Sequence, residues 1–554
     1  MRTTYRLGAI AAGCLVFSTL AFSQFGRGGG TWNTAGADAQ RTSWARTDAR
    51  ISAASMPKFQ FLWKVKIDNA EKGSYSLSSA VMVDSYIGYR GFRSYAFLGG
   101  ASNKAVALDT DLGRVEWLQS FGGASTPGAA GCPGALTSGV TRSAPLAPAA
   151  VPVAGAAGGR GAQRAAGGVS EPGQGAITIG QGRGGGFGAP GGRGGSGAPG
   201  GRGGSGGRGP GGPGGFGGPG GGARAPDAIY AISTDGMLRT LYISNGENAK
   251  PPVRFLPASA NASGLLLVDN VMYATTNGNC GGAPNGVWAI DTMADAPAPL
   301  HWATNGGGVA GNYGPALGSD GTIYAATTDG DYSPSAFSDS VVALDKITPE
   351  TKSLKLKDWF TPGKSEFTSS PVIFSVKEKD LIAVANKDGH LYLLDSAALG
   401  GADHKTPLAS VSFANSGADA GALASWEDAA GARWVLAGAP NAVVAYKVVD
   451  QGGKYTLQTG WTSPTIASPL PPIVVNGIVF AVASGAGSKP AVLYALDGAT
   501  GKELFNSGST MTGPVMRTGG LAASAGQLYI AGADSTVYAF GVPLVPPDLA
   551  KKVQ

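Results

Sequence analysis

Two stretches decide how this chain is read: ALDTDLGRVEW (Ala107–Trp117) and ALDGATGKELF (Ala495–Phe505). Each runs from Ala to an Asp two residues on, then to a Gly, and reaches an aromatic four residues after that Gly. The small Ala permits close sheet packing, and the Asp carboxylate closes a local turn on the backbone that follows it. Gly takes the left-handed conformation that ends such a turn without a Cβ penalty. The aromatic then belongs to a strand returning beside the first. Working outward, the strand before the turn recurs as AVALD ending at Asp109, IYAIS at Ser233, VWAID at Asp291 and VVALD at Asp345. It continues as LYLLD at Asp395, VVAYK at Lys447, LYALD at Asp497 and VYAFG at Gly541.

From Ser233 onward these copies lie 44 to 58 residues apart. Many follow a second β-rich run, such as VMYATT from Val271 or IVFAVAS from Ile478, and some an earlier apolar run such as SSPVIFS from Ser369. Three or four short strands per repeat, joined by Gly, Asp and Asn turns, form the pattern of a propeller blade. The last repeat offers strands at 520–525, 527–531 and 536–540 but no outer aromatic strand. FQFLWKVK (Phe59–Lys66) alternates, carries Trp63 and has no blade before it. Pairing it as the outer strand of the last blade closes the ring and removes an exposed edge. The fold expected is therefore all-β: one propeller over 24–543 with eight blades, seven being the fallback, and a C-terminal tail at 544–554.

Glycine supplies 92 of the 554 residues, and much of it is local. Residues 154–224 hold 35 glycines, seven arginines and one acid, Glu171. So few apolar side chains bury no core, and a disordered insert is expected there. With IYAIS taken as the third strand of blade 2, the insert falls between that blade's second and third strands, on the face of the blade-to-blade connections. Formal charge is +6, of which the insert supplies +6 and Arg2 and Arg6 another +2, leaving the remainder near −2. That balance offers no basic fold surface for nucleic acid.

Residues 1–23 read as a signal peptide: Arg2 and Arg6 precede an uncharged run from Leu7 to Leu20, and Ala21-Phe22-Ser23 supplies the cleavage site. The run is too short for a stable transmembrane helix. A lipoprotein reading through Cys14 is set aside because the apolar run continues past it. Export to the periplasm or beyond is expected, with Cys132 and Cys280 as the two remaining thiols and a disulfide between them. RNA, the usual partner of RGG-like tracts, is not met there.

The turn phrase resembles the AxDxxTGxxxW signature of the pyrroloquinoline-quinone (PQQ) repeat family, over Trp32 to Pro543 without the insert. TWNTAGADAQRTSWA (Thr31–Ala45) looks like the opening segment of such propellers. FSDSVVALD (Phe337–Asp345) and NKDGHLYLLDSAALGG (Asn386–Gly401) look like their middle blades. The family includes quinoprotein dehydrogenases, which hold PQQ over the central axis with calcium and use an Asp as general base. It also includes non-catalytic outer-membrane assembly lipoproteins. For the first role, the resemblance points to Asn277 and Asn279 in TTNGNCGG as calcium ligands and to Asp331 in TTDGDYSPSAF as the base. The chain departs from that pattern by having no Cys-Cys pair and no counterpart of the calcium-binding Glu; Glu366 and Trp426-Glu427-Asp428 do not stand in for it. The expected function is an exported binding or scaffold protein taking a protein, peptide or glycan ligand on its loop face. Loop aromatics Tyr313, Tyr332 and Phe337 are the residues a glycan would use. PQQ-dependent oxidation of an alcohol or sugar is the alternative.

Overall fold

The computed structural model describes residues 32–70, 76–88, 91–122, 132, 139–146, 228–333, 335–348, 353–487, 489–515 and 520–543. The expected signal peptide, the 154–224 insert and the tail lie outside them. Among the described residues the strands form seven four-stranded sheets and one five-stranded sheet, which are the eight blades of a propeller, and a separate two-stranded hairpin of Tyr332–Ser333 and Ala336–Phe337. Blade 1 runs outward from the axis as Val81–Gly88, Gly91–Gly100, Lys104–Asp109 and Arg114–Ser120. Interior strands such as Val271–Thr276 are buried at every position because both faces of a blade meet neighbours. Val81, Phe97 and Ala107 of blade 1, for instance, share one cluster with Val140, Ile229 and Leu241 of blade 2.

Gln60–Lys66 pairs antiparallel with Thr536–Gly541 as the outer strand of the last blade, so the ends of the chain close the ring as the repeat count requires. The recurring turn locks three of the blades to the one before. The indole N–H of Trp63 donates to Thr110 O at 3.1 Å, Trp117 to Ile243 O at 2.8 Å and Trp461 to Gly498 O at 2.9 Å. Each ring lies on a turn glycine, Gly113, Gly246 and Gly501, all with positive φ.

This lock corrects the reading of blade 2. Its strands are Val140–Thr141, Ile229–Ile232, Met237–Leu241 and Val253–Arg254, in that order from the axis. IYAIS is thus the second strand, and the turn that receives Trp117 follows the third, at Gly246. Second and third strands share one apolar–Ala–apolar phrase because both are interior. The insert accordingly separates the first and second strands, and its point of departure lies on the face opposite the blade connections. Leu146, the last described residue before it, lines a recess with Asp269, Asp291, Gly321 and Lys346, all in or beside hairpin turns of that opposite face.

The segment from Trp32 onward circles the axis and bonds to the blades in order. Met82 N–H donates to Trp32 O, Arg142 N–H to Asn33 O, and Thr34 Oγ1 to Leu265 O, each at 2.8–2.9 Å. Leu317, Ile373, Ser425 and Val474 then donate their N–H groups to Ala39, Gln40, Thr42 and Ser43 at 2.8–3.0 Å. Gly526 N–H of blade 8 reaches Asp48 Oδ2 at 2.8 Å. Arg41, 1% exposed, holds this strap shut: Nε donates to Pro315 O (2.9 Å), Nη1 to Thr34 Oγ1 (2.8 Å) and Ala35 O (2.7 Å), and Nη2 to Gly264 O (3.1 Å). Burial pulls its guanidinium down to about 9, with Asp38 opposing. The chain's own residues therefore fill the axis.

Candidate functional site

A polar recess of about 420 Å³ opens on the connection face over blades 3 to 6. Its walls come from segments that enter first strands (Asn261, Asn312, Glu366, Thr368, Asp419) and from the ends of second strands (Asn277, Thr328, Lys387). Loops of a propeller face are free of core packing, which lets them carry polar side chains inward. Glu366 Oε1 is ion-paired to Lys387 Nζ at 2.5 Å, and its Oε2 accepts the N–H of Asp329 at 3.3 Å.

Of the sequence-derived residues, Asn277 lines the recess, and Asp331 comes near it only through its backbone, across a glycine run. Gly306, Gly307 and Gly308 are wedged between Asn277 on one side and the Thr328–Asp331 backbone on the other. A Cβ on Gly308 would lie 1.7 Å from Asn277 Oδ1, and one on Gly306 would lie 2.7 Å from Asp331 O. Three successive glycines thus let both segments approach. Asp331 is exposed, and its carbonyl accepts Ser338 N–H at 3.3 Å. Asn279 closes its own turn instead: its Oδ1 accepts Asn285 N–H and its N–H donates to Asn285 Oδ1, both at 3.0 Å. Of the loop aromatics, Tyr313 and Phe337 are buried and only Tyr332 is exposed.

Sequence reasoning set Glu366 aside and passed over Lys387, Asp419, Asn261 and Asn312. Their grouping depends on which loops the ring brings together.

Cys132 and Cys280 are joined, with Cα atoms 5.5 Å apart and a sequence separation of 148. The bond ties the approach to blade 2 to the Asn277-bearing turn of blade 3 and encloses the whole insert. Trypsin cutting at the insert's arginines should leave one main band in denaturing gels without reductant, shortened only by the released insert peptides, and two bands after reduction. Two bands before reduction would count against the bond.

No family model and no curated protein matches the chain. Solved structures do match. A quinohemoprotein alcohol dehydrogenase from Comamonas testosteroni is 13% identical, with 93% of this chain and 80% of that chain covered and a TM-score of 0.54. A quinohemoprotein alcohol dehydrogenase from Pseudomonas putida HK5 gives 12%, 94%, 82% and 0.53 in the same order. A europium-containing methanol dehydrogenase gives 11%, 92%, 98% and 0.52. At this identity the likeness shows the fold.

The recess does not fit PQQ with calcium. The quinone carries three carboxylates and needs cationic partners, whereas the one cationic side chain lining the recess, Lys387, is paired to Glu366. Glu366 and Asp419 line it as well, with Asp329 beside them. Among the described residues no three His, Cys, Asp or Glu are grouped to hold a metal ion. A donor set of amides, hydroxyls and excess acid suits a polar or cationic ligand better than a polyanion.

Proposed function

We propose that this chain is an exported binding or scaffold propeller whose ligand sits in the connection-face recess between Asn261 and Asp419. One observation carries the reading: the axis is filled by the strap, while the adjacent recess holds fixed, unevenly charged polar groups. Such groups confer specificity without a reaction. The Cys132–Cys280 bond supports an oxidising compartment, and no helix among the described residues is long and apolar enough to cross a membrane. The test is a peptide and oligosaccharide array probed with the mature chain and with Asn261→Trp, which fills the recess. Retention lost in the variant supports the reading; equal retention by both proteins removes it.

PQQ-dependent oxidation of an alcohol or sugar is the second reading. It draws on Asn277 and Asp331 flanking one glycine run, and the charge of the recess opposes it. Saturable quinone binding in the presence of Ca²⁺, with dye-linked alcohol oxidation lost in Asp331→Ala, would establish it over the first.

A further inference from the structure

Exposed apolar side chains are not spread evenly over the described residues of this propeller. Phe61, Phe92, Leu112 and Val115 are exposed, and all four stand on blades 8 and 1 at the face opposite the blade connections. Tyr332, the other large exposed one, is on the connection face. The first and third strands of a blade run toward the opposite face. The hairpin between Val81–Gly88 and Gly91–Gly100 and the turn between Lys104–Asp109 and Arg114–Ser120 therefore both point there. Contacts join the four side chains into one patch. Phe61 is two residues from Trp63, whose ring lies on Gly113, the neighbour of Leu112. On the other side of Leu112, Asp111 Oδ2 accepts the N–H of Ser94 at 3.3 Å, two residues from Phe92. Val115 follows in the outer strand, and Leu112 is the most open of the four at 53%. Apolar side chains gathered in this way mark an interaction surface.

The chain itself supplies an occupant. Thr536–Gly541, the third strand of blade 8, runs to the same face, where Phe540 pairs with Phe61 and their ring centroids lie 5.6 Å apart. Val542 N–H still donates to Gly526 O at 3.2 Å, and the described residues end at Pro543. Residues 544–554 therefore depart beside Phe61. They open with LVPPDLA, in which Asp548 is the one charge before Lys551. Pro543, Pro546 and Pro547 each fix a backbone angle, which lowers the entropy lost on docking, and proline-rich segments fit aromatic-bearing apolar surfaces. At about 3.1 Å per residue, residues 544–549 extend about 19 Å. Only the Trp63 strand, about 5 Å across, and its indole separate Ala539 from Gly113. We propose that residues 544–549 lie across Phe61, Leu112 and Val115 as a latch over the seam where the last blade meets the first. Such a latch is independent of the recess and of what the recess binds.

The test places a photoreactive side chain in the full mature chain, Val545→p-benzoylphenylalanine, and maps its crosslinks by mass spectrometry after irradiation at low protein concentration. A crosslink within one molecule to Phe61 or to residues 111–115 is expected. Adding Leu112→Lys and Val115→Lys should abolish it, whereas Tyr332→Lys on the connection face should leave it unchanged; near-ultraviolet circular dichroism verifies that each variant is folded. Without the photoreactive group, Leu544→Asp combined with Leu549→Asp should uncover the patch and raise the fluorescence of the apolar dye anilinonaphthalenesulfonate. A crosslink joining two copies, read as a dimer band, would overturn the latch in favour of a segment exchanged between copies. Crosslinks to other sites, none at all, or ones that survive the two Lys substitutions overturn it equally, as does dye fluorescence unchanged by the two Asp substitutions.

Discussion

Replacing Arg41 with Met should cost about 3–5 kcal/mol of folding free energy, read as a lower urea midpoint. The cost arises because Met removes every donor at once. Pro315 O, Ala35 O, Gly264 O and Thr34 Oγ1 all receive bonds from this one guanidinium. They lie at the axis, where water does not replace the lost donors. Arg41→Lys should recover little, since an ammonium on a flexible stem does not reproduce the planar fork that reaches two blades together. The strap joins all eight blades, so the transition should stay cooperative and shift as a whole. A silent Arg41→Met would mean that the strap contributes nothing to closure.

Gly501→Ala and Gly452→Ala should behave very differently despite nearly equal backbone angles. Gly501 has φ +72 and Gly452 φ +66, so an added Cβ strains both by about 1 kcal/mol. At Gly452 nothing lies within 4 Å of the added atom, whereas at Gly501 it would sit 2.5 Å from Trp461 Cε3. Trp461 is also fixed by its bond to Gly498 O at 2.9 Å. Overpacking there adds roughly 1–3 kcal/mol, for a total of about 2–4 kcal/mol against about 1 at Gly452. Equal urea midpoints for the two variants would show that the indole moves aside freely and that the turn–tryptophan contact is no lock.

The parts of the fold that follow from local chemistry were legible in the chain. The Asp–Gly–aromatic turn at Asp109 and Asp497 predicted the repeat, and the unpaired strand carrying Trp63 predicted ring closure. Blade 2 was misread because interior strands are apolar on both faces. Nothing in IYAI distinguishes a second strand from a third, and only the position of Gly246 beneath Trp117 does. That difference of one strand moved the insert to the opposite face. The recess was half legible. Asn277 stands in a recognisable turn, but Glu366, Lys387 and Asp419 acquire meaning only through proximity. Charge acting across separate loops leaves no spacing in a sequence.

The strap also sets an order of events. Trp32 to Lys66 are among the first residues of the described chain to be synthesised, yet Thr536–Gly541, which pair with Gln60–Lys66, come almost last. At 5–20 residues per second, roughly 25 to 95 seconds separate the two. Arg41 lacks its full carbonyl cage until Pro315 has been made, and the Trp63 strand has no partner throughout that interval, so a growing chain cannot complete its ring vectorially. Such long-range closure is slow. A polypeptide whose closing strand finds its partner only when its last blade arrives remains unclosed, and so threadable, until the end.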